Sequence, residues 1–216
     1  MELADTIRKR RAVRKYTDRP VDDETLDRML RLGLRAPSGG GQQAWGFMVV
    51  RDPEKRLAVA ELIIAGGAEY FGLMRPQKDA TDEEHAAWAR DYAENVMATY
   101  RHVPAFVVGL LVPRGYPEAF PGGYEDDLIS LSFAFQNLML VAREAGLGTV
   151  SITAFIRWEK DRLREILGIP ADVDPAIITP VGYPEEFPKG LAPALQRNFR
   201  TWRALVHDDT YGNTRE

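Results

Sequence analysis

The chain has 216 residues, 45% hydrophobic and 28% charged, with a formal net charge of -4; this is the profile of one soluble globular domain with room for a substantial core. It contains no cysteine, which excludes disulfides, thiolate zinc sites and cysteine nucleophiles and leaves any redox chemistry to a bound cofactor. No apolar run approaches the ~18 residues of a membrane span, and Met1 to Asp5 lack a signal peptide's apolar core, so a cytoplasmic location is expected.

Leu3 and Ile7 share a helical face, so a short first helix is predicted. It runs into Arg8-Lys9-Arg10-Arg11-Ala12-Val13-Arg14-Lys15, where six of eight residues are basic. Such charge in an acidic chain calls for a partner: a nucleic acid, an anionic surface, or a phosphate held inside the fold. Val13 and Tyr16 read as anchors on either side of Arg14, and an extended exit would throw Arg10, Ala12 and Arg14 to one side. Asp22, Asp23 and Glu24 suit the first turn of a second helix. Leu26, Met29, Leu30 and Leu34 follow at helical spacing, and Pro37 stops it. In Ala36-Pro37-Ser38-Gly39-Gly40-Gly41-Gln42-Gln43-Ala44-Trp45, three glycines allow a ligand to approach the backbone closely. That loop feeds a predicted strand ending at Val50.

A helix is predicted from Pro53 to about Ile64, ended by Gly66-Gly67. Residues 68–124 read as an excursion that covers something. Within it a helix from Asp82 to Tyr100 carries Trp88, Tyr92, Val96 and Tyr100 at four-residue steps, mostly for packing, with some available to line a pocket. Pro104 to Val112 is a continuously apolar, buried strand, and Pro113 to Gly123 a turn-rich loop. Asp126 to Ala145 is a helix apolar all round, which must be central or shared with a second subunit. Thr149 to Thr153 reads as a strand, Arg157 to Leu167 as a helix, and Ala176 to Pro184 as the last strand. A basic-tinged extension follows, and any disorder is expected in the tail, Asp208 to Glu216. Strands interleaved with helices give α+β or α/β.

Several site types fail. His85, His102 and His207 lie far apart, without metal spacing, and are expected at the surface. Nucleophile-elbow, phosphate-loop and dinucleotide fingerprints are missing. A nucleic-acid role is disfavoured by the acidic balance and the lack of a second basic patch. A phosphate site gains support from the Gly39 to Gly41 loop and from Arg197 or Arg200.

Four stretches together resemble the nitroreductase family of FMN-dependent oxidoreductases. They are Arg10 to Arg14, Ala36 to Trp45, Gln136-Asn137-Leu138-Met139-Leu140-Val141-Ala142-Arg143-Glu144-Ala145-Gly146-Leu147-Gly148-Thr149, and Pro180-Val181-Gly182-Tyr183-Pro184. The resemblance implies an α+β fold with a central, mostly antiparallel sheet flanked by helices, in an intertwined homodimer with FMN at its interface. It implies that Arg10 and Arg14 hold the FMN phosphate or ribityl chain, with backbone contacts from Arg11 and Ala12. Pro37, Ser38, Gly39 and Gln43 would reach the flavin from the other subunit. Ser151, Ile152, Thr153 and Ala154 would lie along the isoalloxazine, and Arg200 or Arg197 would complete the phosphate site. The implied reaction is ping-pong: NAD(P)H delivers hydride to FMN, which passes it to an electron-poor acceptor such as a nitro compound or quinone. No side chain is named as catalytic, and no metal, membrane or nucleic acid is involved. Alternatives are another acceptor on the same fold (ene reduction, dehalogenation, flavin fragmentation) or non-enzymatic flavin binding. This chain has Ala12 where the family usually has Ser, and Gly41 and Ala44 where it usually has Asn and Pro. No Glu-Tyr-Lys lid triad of the deiodinase type is evident in 68–124.

Overall fold

The computed structural model describes residues 2–113, 123–190, 196 and 199–215. The fold is α+β. Strands β1 (Trp45–Val50), β2 (Ala105–Leu111) and β3 (Asp174–Val181) form an antiparallel sheet in that order. Trp45 pairs with Leu111 at one end, and Ala105 with Val181 at the other. The helices are α1 (Leu3–Lys9), α2 (Asp23–Gly33), α3 (Pro53–Met74), α4 (Asp82–Met97), α5 (Gly123–Glu144) and α6 (Lys160–Leu167). Side chains alternate across β2. Phe106 and Val108 enter a core with α3, α4 and α6. Val107 enters another with α2 and α5. Burial on both faces explains why β2 is continuously apolar.

Local chemistry starts the helices. The Asp22 carboxylate accepts from the Thr25 N–H (2.7 Å) and hydroxyl (2.9 Å), and the backbone bond holds its carboxyl below the usual range. Thr81 and Glu84 form a reciprocal capping box at the start of α4. Further along, Arg101 ties α3 to α4. It grips Glu61 through Nε (2.5 Å) and Nη2 (3.0 Å), and it also binds Glu94. Those bonds hold the Glu94 carboxyl below its usual range.

Four expectations need correction. First, α3 does not end at Gly66-Gly67 but runs on to Met74. The Gly66 gap is filled from outside: a Cβ there would overlap the backbone carbonyl of Phe155. Contrary to the sequence count, α3 is also long and apolar enough to cross a membrane. Val59, Ala60, Leu62 and Ile63 are nevertheless fully buried within the chain, as in a core helix. Second, Thr149 to Thr153 makes bridges, Thr149 to Ala12 and Ile152 to Ile178, and is not a strand. The ladder breaks at Val150, whose N–H donates to Thr179 Oγ1 (3.0 Å) instead of a backbone carbonyl. Third, of the two readings of α5 the wholly central one fails, because Ile129 and Phe133 are half exposed (52% and 50%). Fourth, the tail folds into a turn, with a His207–Thr214 bridge and an Arg215–Asp208 ion pair (2.7 Å). The loop Pro113 to Gly123 lies almost wholly outside the described residues.

Candidate functional site

The basic segment is strapped down beside the sheet. After α1 the backbone turns extended at Arg10. Arg11 Nη1 folds back onto the carbonyls of Arg8 (2.6 Å) and Arg10 (2.8 Å), capping the helix. Val13 and Tyr16 are buried. Tyr16 Oη donates to the Val13 carbonyl (2.8 Å), and the Val13 N–H to the Thr149 carbonyl (3.0 Å). Gly148 permits this approach, since a Cβ there would stand 2.7 Å from Val13 Cγ1. The Val13 and Tyr16 anchors are thus buried on either side of Arg14, and Ala12 runs alongside Thr149.

Next to this junction is a cavity of about 420 Å³. Arg14, Ser151, Ile152, Thr153 and Ala154 all line it. Ile152 exchanges backbone hydrogen bonds with Ile178 of β3 (2.9 and 3.0 Å). Its neighbours therefore face the other way. Ser151 and Thr153 are exposed, and among the described residues their N–H groups have no partner. The opposite wall is aromatic: Tyr70, Phe71, Tyr92, Tyr100 and Phe155. Phe155 packs on Tyr70 (centroids 5.2 Å) and Phe71 (5.6 Å), and Phe71 meets Tyr92 edge to face (4.8 Å). Burial pushes the Tyr100 phenol well above the usual tyrosine range, so the ring stays neutral. Two arginines, Arg14 and Arg75, line the cavity, and among the described residues no carboxylate does.

Other expected residues are not in this wall. Arg10 is half-buried outside it. The Pro37 to Gln43 loop lies against α5, where the Gly39 N–H donates to Ser130 Oγ (3.3 Å). Gln43 holds a left-handed φ of 51° and donates its N–H to Ser38 Oγ (3.1 Å). Within one chain Pro37, Ser38, Gly39 and Gln43 do not line the cavity. Arg200 is exposed and donates to the Ala204 carbonyl (2.5 Å), and Arg197 lies outside the described residues. Of the ring series read from sequence, Tyr92, Val96 and Tyr100 line the cavity, while Trp88 stacks between His85 and Tyr92. His85 is half-buried, not at the surface, with Nε2 2.8 Å from the Gly72 carbonyl. Tyr70, Phe71, Arg75, Val150 and Phe155 are the lining residues that sequence reasoning missed. Among the described residues, no His, Asp and Glu cluster suits a metal.

A cavity with two arginines, no carboxylate among the described lining residues, backbone N–H donors and several rings has the chemistry to take a flat molecule carrying negative charge. The sequence profile of the nitroreductase family matches residues 7–183. The chain belongs to the nitroreductase family. A protein of Archaeoglobus fulgidus, provisionally named an NADH dehydrogenase/NAD(P)H nitroreductase, is 29% identical over 86% of this chain and 87% of its own length. Iodotyrosine deiodinase 1 of Pongo abelii is 29% identical over 91% of this chain, which spans 65% of that relative's length. The fold is also that of the NADPH:FMN oxidoreductase of Vibrio harveyi (TM-score 0.71, 21% identity, 97% of this chain and 77% of that one).

Proposed function

We propose that this chain, an NAD(P)H-dependent flavin oxidoreductase of the nitroreductase family with FMN as its cofactor, reduces an electron-poor small molecule, a nitro compound or quinone, by a ping-pong reaction in the cavity between Arg14 and Ser151 to Ala154. The convergence of that cation with that free backbone edge carries the reading. When bound, FMN supplies hydride transfer between donor and acceptor. Arg14, with Arg10 beside it, would hold the phosphate or ribityl chain, and Arg11 and Ala12 would add backbone contacts. The N–H groups of Ser151 and Thr153 would face the isoalloxazine and donate where negative charge gathers. Arg197 or Arg200 would complete the phosphate site. The rings of α3 and α4, within the covering segment 68–124, would exclude water from that face. No side chain has to act as an acid or base. The reading places the protein in the cytoplasm, with no nucleic-acid or membrane partner.

The test is an anaerobic titration of the purified protein with NADH and NADPH, following the flavin absorbance band. Bleaching by either nucleotide, reversed by a nitroaromatic or quinone, is the expected result. A protein that stays colourless after incubation with FMN would sink the reading. Deiodinase relatives favour a second acceptor class: halide release from a halotyrosine by the reduced protein would shift the assignment to dehalogenation.

The site is completed in a homodimer on this reading. Ile129 and Phe133 stand exposed on α5, the helix against which the Pro37 to Gln43 loop rests, and α1 exposes Leu3 (67%) and Ile7 (52%). Such large apolar groups on adjoining helices fit a second copy, which would carry Pro37, Ser38, Gly39 and Gln43 to the partner's flavin. Phe133→Asp should convert the protein to a monomer in analytical ultracentrifugation and release FMN. A dimer that persists with its flavin retained would refute this arrangement.

A further inference from the structure

Arg75 ends α3 at the rim of the cavity. Its Nη1 donates to Tyr92 Oη (2.7 Å), and its guanidinium lies over the Tyr92 ring, 4.8 Å from the centroid. Phe155, Phe71 and Tyr92 touch in series. They lead from the Ser151 to Ala154 edge out to Arg75. The guanidinium is therefore placed at the end of the aromatic wall, where Tyr92 is its nearest partner and the Phe71 ring lies at 5.8 Å.

Its charge meets only the faces of the Tyr92 ring and, at 5.8 Å, the Phe71 ring, and no carboxylate among the described residues. Arg28, Arg51, Arg101, Arg164 and Arg215 each pair with a carboxylate, whereas none among the described residues pairs with Arg75. A cation oriented by rings, with no carboxylate partner among the described residues and lining a ring-walled cavity, suits an anionic substituent on a flat ligand. Arg14 sits with the cofactor edge and serves the phosphate in the reading above. Arg75 is left for whatever enters against the rings.

We propose that the acceptor is an aromatic or conjugated molecule bearing a carboxylate, and that Arg75 binds this carboxylate while Phe71, Tyr92 and Phe155 hold the ring. Arg75 is then a specificity-determining residue, and Tyr92 a positioning residue acting through it. The inference rests on the flavin-site reading for its chemistry but not for its binding test.

The test uses the purified full-length protein with 4-nitrobenzoate and 4-nitrobenzamide, which are close in shape and differ in charge. The wild type should prefer the carboxylate by roughly tenfold in kcat/KM, mainly through KM, as suits a charge-assisted bond at an exposed arginine. Arg75→Met should erase the preference, Arg75→Lys should keep part of it, and Tyr92→Phe should reduce it through KM. Calorimetric binding of benzoate against benzamide to the resting protein should show the same order without turnover. Equal handling of both ligands by the wild type, or a preference that survives Arg75→Met, overturns the proposal. So does an Arg75→Met protein that is slowed in reduction by NADPH but not by NADH, because Arg75 would then read the donor's extra phosphate. Failure to bind FMN or to be reduced by nicotinamide counts against the flavin reading alone, since calorimetry still reports on Arg75.

Discussion

Gly66→Ala is expected to cost about 3 kcal/mol, the upper part of the usual range for overpacking, and to lower Tm by roughly 10 °C for a domain of this size. The added methyl has no free space: it would overlap the Phe155 carbonyl, which is backbone and cannot rotate away. Either α3 or the turn at Phe155 must move. Phe155 follows Ala154 directly, so a shift there also disturbs the cavity edge. Calorimetry and an FMN titration should therefore both register the change. A Tm within about 2 °C of wild type would show that α3 is not seated on this carbonyl.

Replacing Arg10 and Arg14 together by Ala should release FMN and leave the fold intact. Each charge-assisted contact to a phosphate contributes about 1.5–3 kcal/mol, so the dissociation constant should rise at least a hundredfold. Arg14 lines the cavity and Arg10 does not, so Arg14→Ala alone should account for most of the loss. Stability should change little, because neither guanidinium has a carboxylate partner among the described residues. Recovery of flavin fluorescence on release, with far-ultraviolet circular dichroism as the fold control, measures both. Unchanged flavin affinity in the double variant would remove the phosphate clamp from the proposal.

Much of this was legible in the chain because local chemistry and the fold agree. Val13 and Tyr16 are the apolar residues that flank Arg14, and both are buried. The apolar run of β2 is buried on both faces. The misreadings have physical causes. Gly66-Gly67 looks like a helix stop when only its own neighbours are considered; the carbonyl that requires the gap lies nearly ninety positions away. Thr149 to Thr153 has strand composition, but one Thr179 hydroxyl takes the hydrogen bond that would extend the ladder. Arg75 gave no signal because a lone arginine after an apolar helix is an ordinary C-terminal residue. Only the approach of Tyr92 from the next helix marks it out. Ile129 and Phe133 suggest burial by composition, yet within one chain they stand half exposed.

The two glutamates gripped by Arg101 give the helical wall a fulcrum. From Glu61 to Arg75 the chain climbs fourteen helical steps, roughly 20 Å at about 1.5 Å each. A tilt of α3 against α4 too small to disturb packing at the fulcrum would be amplified along that arm and would swing the guanidinium across the entrance. Variation at Glu61, Glu94 or Arg101 could retune which molecules enter while every residue in contact with them stays the same.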